Sequence, residues 1–173
     1  DNDFVYFLDF GSDVVRRIQK VGGNGTAEEV FSNATNPTDT NLTNNPNAIA
    51  VDGDSLYVVD YPKALQFSKI PGDPHGSTLL SPSGSLFVPT DLFVDGDFFD
   101  VVDFGLEAVL RFPKLGGSPE VIFDKESVSG DTNLNYPTGI TGDQNFLYVA
   151  DHGLGAVLLI DPATHQSLIF RGL

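Results

Sequence analysis

Three histidines and a scatter of amides and carboxylates are what this 173-residue sequence offers for chemistry. It has no cysteine, hence no thiol nucleophile, thiolate zinc site or disulfide. His75 lies in the turn-rich stretch PGDPHGS and His165 in DPATHQS, where surface turns are expected. His152 follows Asp151 at a strand reversal and is the histidine best placed to act as a base. No G-x-S-x-G elbow, phosphate loop or dinucleotide fingerprint occurs. Asn47, Asp91 and Thr138 stand just after Pro46, Pro89 and Pro137, at nearly equivalent places in three similar segments. Asn47 and Asp91 offer oxygen ligands of the kind that suits Ca2+. The Asp-x-Asp pairs in VDGD (residues 51–54 and 94–97) do not form an EF-hand loop, because the twelfth position counted from Asp52 is Lys63 instead of Glu.

The segments that carry these residues repeat. NPNAIAVDGDSLYVVD (45–60), VPTDLFVDGDFFDVVD (88–103) and YPTGITGDQNFLYVAD (136–151) each have Pro second and Asp last. Asp60, Asp103 and Asp151 are 43 and 48 residues apart, and Asp9 extends the series at the N-terminal side. That period is the size of a propeller blade. Each unit continues with a third apolar stretch, a Gly- or Pro-bearing turn and a fourth stretch, all rich in Val, Ile, Leu, Phe and Tyr. No sustained i, i+3, i+4, i+7 spacing appears, so essentially no helix is expected. The fold class is therefore all-β, with blades of four antiparallel strands. About four blades are present: residues 1–45, 46–88, 89–136 and 137–173. Asp9, Asp60, Asp103 and Asp151 recur in every unit and read as structural turn residues that hold nearby backbone N–H groups. Asp-Gly in the hairpins supplies the positive φ that tight turns require.

The pattern P-x-x-I/L-x-V-D-G followed by L-Y-V-x-D resembles NHL-type and related six-bladed propellers. Its DGD hairpins look like those of secreted propellers of the scytonemin-cluster kind. Pro46-Asn47-Ala48-Ile49 and Pro89-Thr90-Asp91-Leu92 are similar to the calcium-proximal P-N-D segment of the paraoxonase, gluconolactonase and strictosidine-synthase group, each keeping one of its two polar residues. The resemblance implies a propeller fold. It leaves two functions open, because fold does not choose activity. One is a non-enzymatic extracellular module for binding or self-assembly, needing no cofactor. The other is a Ca2+-dependent lactonase or esterase with its site at the channel mouth, near Asn47, Asp91, Thr138 and His152.

A formal net charge of −15 argues against nucleic acid as a partner, since phosphate recognition rests on clustered Lys and Arg, and anionic membrane surfaces are disfavoured likewise. No apolar run reaches the roughly 20 residues of a membrane span. A chain beginning Asp1-Asn2-Asp3 without Met is compatible with loss of a leader. Sequons at Asn24, Asn33 and Asn41 favour a secreted or cell-surface glycoprotein. Arg17 and Arg111 occupy matching places, as do Lys20 and Lys114, and are expected to neutralise acidic neighbours on a solvated face. Blade 1 starts at the turn that should follow an inner strand, so its inner strand is missing. Either the chain is part of a larger, six-bladed propeller, or the edge of Phe4 to Leu8 is open to a protein partner or to another copy of the chain through strand addition.

Overall fold

Gly53 and Gly96 adopt φ of 52° and 50° at the tips of two hairpins. Asp52 pairs with Ser55 and Asp95 with Phe98, so each loop consists of the glycine and the aspartate after it, and the aspartate before it belongs to the strand. Only the glycine needs the left-handed backbone, a demand that a residue without Cβ meets at no steric cost.

In the computed structural model, residues 1–33, 42, 46–71, 77–81, 84–126 and 134–171 are described. They hold fifteen strands and no helix. Blade 1 has three strands, β1 (Phe4–Asp9), β2 (Val14–Gln19) and β3 (Glu28–Ser32). Blade 2 has β4 (Pro46–Asp52), β5 (Ser55–Asp60), β6 (Lys63–Ser68) and β7 (Ser77–Leu79). Blade 3 has β8 (Pro89–Asp95), β9 (Phe98–Asp103), β10 (Ala108–Pro113) and β11 (Glu120–Asp124). Blade 4 has β12 (Pro137–Gly142), β13 (Leu147–Asp151), β14 (Ala156–Asp161) and β15 (Gln166–Arg171). Each sheet is an antiparallel meander in chain order, and among the described residues the sheet of blade 1 holds three strands, with β1 at its edge, where the other three sheets hold four. The inner strands β4, β8 and β12 are neighbours in space, which arranges the blades as an arc.

Three apolar layers lie between successive blades. Val15, Phe31, Leu56, Val58, Leu65 and Phe67 join blades 1 and 2. Tyr57, Val59, Phe99, Val101, Leu110 and Phe112 join blades 2 and 3. Val102, Val109, Phe123, Val149, Leu158 and Ile160 join blades 3 and 4. Alternate residues of one strand thus serve two different cores, which is why β5 reads as an unbroken apolar run instead of an in-and-out alternation. Burying a Val, Leu or Phe side chain of this kind contributes roughly 1.5–3 kcal/mol, so the interfaces hold the arc together.

Candidate functional site

The inner strands all carry the same irregularity. The pairing of β4 with β5 skips from Pro46 to Ala48, that of β8 with β9 from Pro89 to Asp91, and that of β12 with β13 from Pro137 to Gly139. Asn47, Thr90 and Thr138 are the extra residues, each bulged out of its ladder just after the proline. This corrects the expected alignment: Thr90, not Asp91, is the counterpart of Asn47 and Thr138, and Asp91 corresponds to Ala48 and Gly139.

The bulged side chains reach across blades. Asn47 Nδ2 donates to the Pro89 carbonyl at 2.5 Å. Thr90 Oγ1 donates to the Pro137 carbonyl at 3.4 Å, and Asp91 Oδ2 accepts the Ile140 N–H at 2.9 Å. Asp91 Oδ1 accepts the N–H of Leu92. Thr138, in the last blade, donates only within its own sheet, to Ala150 at 3.4 Å. Asn47 and Asp91 therefore lace inner strands together, and among the described residues no three His, Asp or Glu side chains converge to hold a metal ion.

Below this lacing, the aspartates that end the second strands of blades 3 and 4 clamp the segments leading into their own blades. Asp103 is fully buried and accepts the N–H groups of Phe87, Val88, Gly105 and Leu106 at 2.6, 2.9, 2.9 and 3.0 Å. Asp151 accepts from Asn135 at 2.7 Å and Leu154 at 2.9 Å. Asp60 is equally buried, 4.0 Å from Lys63 Nζ. Burial lowers the Lys63 pKa, an effect that Asp60 opposes. Asp9, at the equivalent position of blade 1, is engaged differently. It meets Arg16 at 3.4 Å, and its pKa is lowered chiefly by the hydroxyl of Ser12.

The residue after each of these aspartates is aromatic: Phe10, Tyr61, Phe104 and His152. Tyr61 meets Phe87 edge-on at 6.5 Å between centroids, and Phe104 stacks on Tyr136 at 5.0 Å. Each pair joins one blade to the lead-in of the next. Phe10, Tyr61, Phe87, Val88, Leu106 and Tyr136 are all exposed, forming an apolar row on the face where the inner strands begin. A cavity of about 360 Å3 opens within it, lined by Asn47, Tyr61, Phe87 and Val88. A glycine follows the aromatic residue in blades 1, 3 and 4. At Gly153 an added Cβ would lie 2.2 Å from the Asn135 carbonyl, so the lead-in presses directly on the turn.

His152 is exposed, its N–H donating to the Tyr136 carbonyl at 3.0 Å. His165 approaches Glu120 at 3.6 Å, remote in sequence and sheet from the row, and His75 lies outside the described residues. Asn24 is exposed and caps its own turn, its Oδ1 accepting the Thr26 N–H. Asn33 is half-buried, with Nδ2 on the Leu42 carbonyl and Oδ1 on the Leu42 N–H, and Asn41 lies outside the described residues.

The arginines differ from expectation. Arg17 does meet Glu28 at 2.9 Å near solvent. Arg111 instead grips Asp100 with two 2.8 Å contacts, and Asp100 is fully buried. Burial pushes the Asp100 pKa up against the opposing pull of Arg111, and the same hydrogen bonds hold the guanidinium pKa above its ordinary value. The corresponding cross-strand pairs elsewhere are Tyr6 with Arg17, Tyr57 with Gln66 and Tyr148 with Leu159, so Asp100 replaces a repeated tyrosine.

Solved structures share this arrangement. A crystal structure of a nidogen/laminin complex matches with a TM-score of 0.76 and 20% identity over 98% of this chain and 60% of that one. A catalytically inactive virginiamycin B lyase from Staphylococcus aureus with quinupristin matches at 0.70 and 16% over 99% and 53%, and a streptogramin B lyase at 0.68 and 12% over 97% and 51%. The fold is that of a β-propeller. The chain spans between half and three-fifths of the length of these propellers. No protein-family model matches the sequence, and no curated protein matches it.

The bulges and the aromatic row were not anticipated from the sequence. The signal for the row was present as Asp9-Phe10-Gly11, Asp103-Phe104-Gly105 and Asp151-His152-Gly153, with Asp60-Tyr61-Pro62 as the variant.

Proposed function

We propose that the chain is a non-enzymatic, extracellular β-propeller module, of the secreted scytonemin-cluster type, that binds a protein partner through the row from Phe10 to Tyr136. The observation that carries this reading is the exposure of Tyr61 and Phe87, paired with each other, and of Tyr136, stacked on Phe104, on one face of a strongly acidic protein. Aromatic side chains concentrate binding energy at interfaces, and contiguous exposed apolar surface marks them. The likeness to a propeller from a nidogen/laminin complex is in keeping with such a role. The open edge of β1 offers a second docking place, by strand addition from a partner or another copy.

Selection of peptide binders from a displayed library tests the reading. Binders are expected to lose affinity at least tenfold against the Phe87→Ser/Tyr136→Ser variant with its melting temperature unchanged, whereas binders indifferent to that variant refute it. The lactonase or esterase alternative requires Asn47 and Asp91 to take calcium, although Asp91 already accepts two backbone N–H groups. Calorimetric titration with CaCl2 at neutral pH is expected to give no saturable 1:1 isotherm, and a saturable one lost in Asp91→Asn would favour the hydrolase.

A further inference from the structure

The turn between β2 and β3 sets an asparagine amide against a bare peptide nitrogen. Every residue from Val21 to Thr26 is exposed. Asn24 Oδ1 accepts the Thr26 N–H at 2.9 Å, which folds the side-chain amide back over the peptide joining Asn24 to Gly25. Gly25 takes φ of 75°, a backbone that a residue without Cβ adopts at no steric cost, and a Cβ added there would meet nothing within 4 Å. The turn thus demands glycine at the one place where glycine leaves the nitrogen beside the asparagine amide unshielded. Among the described residues no acceptor holds the Gly25 N–H.

We propose that Asn24 is a modification site, where the folded turn promotes spontaneous deamidation and isoaspartate formation. The Gly25 nitrogen loses its proton to hydroxide and attacks Asn24 Cγ. The new C–N bond closes a succinimide ring, the Cγ–Nδ2 bond breaks, and ammonia leaves with its third hydrogen supplied by water. A water molecule then opens the ring at either carbonyl, giving aspartate or, with the backbone rerouted through Cγ, isoaspartate. During the attack negative charge builds on Oδ1, the atom to which the Thr26 N–H already donates, so that bond strengthens as the tetrahedral intermediate forms.

Comparable positions are held. Asn24-Gly25 is the only Asn-Gly pair in the sequence. Asp52 and Asp95 also precede glycine, but each is paired within a strand ladder and offers a carboxylate, a poorer electrophile than an amide. Asp52 is further engaged by Lys114. Asn33 has both ends of its amide bonded to Leu42. A glycan on Asn24 would occupy the nitrogen that must leave, and conversion to aspartate or isoaspartate would remove the glycan acceptor, so the two fates of this sequon exclude each other.

Protein made without glycan and kept at neutral and at mildly alkaline pH, folded or in urea, tests the proposal by peptide mapping that separates isoaspartate from aspartate. The expected result is isoaspartate at Asn24 ahead of every other position, faster at the higher pH, and at least as fast in the folded protein as in urea. Asn24→Gln, whose longer side chain would have to close a larger ring, should cut the release of ammonia at least fivefold with an unchanged melting temperature, because the side chain is exposed. Isoaspartate arising first at Asp52 or Asp95 overturns the proposal. So does an Asn24 amide that survives longer in the folded protein than in urea, or ammonia release indifferent to Asn24→Gln.

Discussion

The Phe87 N–H donates to the carboxylate of Asp103 at 2.6 Å, fixing the segment that leads into a blade to the end of that blade's second strand. Asp103, itself fully buried, serves three further N–H groups in the same way. Asp103→Ala should cost about 3 kcal/mol, the penalty of leaving several part-buried donors without their acceptor. Asp9→Ala, at the equivalent position but with a side chain 39% exposed, should stay within about 0.5 kcal/mol. Urea denaturation of the two variants checks the contrast, and equal losses would show that the clamp has no such role.

The ion pair of Asp100 and Arg111 makes a different demand. Arg111→Leu leaves a buried carboxylate without its cation and should destabilise by roughly 3–5 kcal/mol. Adding Asp100→Tyr re-creates the tyrosine–leucine pair found at Tyr148 and Leu159 and should recover most of the loss. A double variant no more stable than Arg111→Leu alone would contradict that account.

Acid should act on the last inner hairpin. Asp143 accepts the N–H groups of Asn145 and Phe146 and the hydroxyl of Tyr148, and these bonds, the Asn145 one foremost, hold its pKa below the ordinary 3.8. Because the folded value is the lower one, the stabilisation is complete above the ordinary value and is lost as pH falls through the depressed one. NMR titration of the carboxyl carbons should find Asp143 below free aspartate, with Tyr148→Phe moving it back up.

If the protein is made in a glycosylating cell, Asn24 should carry glycan in preference to Asn33, whose amide nitrogen is bonded to the Leu42 carbonyl. Peptide mapping before and after enzymatic deglycosylation decides it. Occupancy of Asn33 with Asn24 bare would run against the geometry.

The architecture was legible because Pro46, Pro89, Pro137 and the aspartates of the second strands mark both ends of a hairpin of constant length, at spacings of 43 and 48 residues, and those marks survive whatever the strands contain. The site was less so. A bulge adds one residue after each proline without changing the composition around it, so Asp91 was aligned with Asn47 when Thr90 is its partner. Asp100 sits in an apolar run whose alternate residues feed different cores, and nothing local tells which face closes over it. Phe87 and Tyr61 are 26 residues apart in the sequence, and their meeting depends on the packing of blade 3 against blade 2.

The bonds from Asn47 to Pro89 and from Thr90 and Asp91 to the strand of Pro137 and Ile140 run only between adjacent blades. A molecule coupled in this way opens as a zipper does. Blades 2 and 3 are each held from both sides. Amide exchange should therefore be slow at Val58, Val59, Val101 and Val102, with melting that spreads from blade to blade and depends on how many neighbours each blade retains.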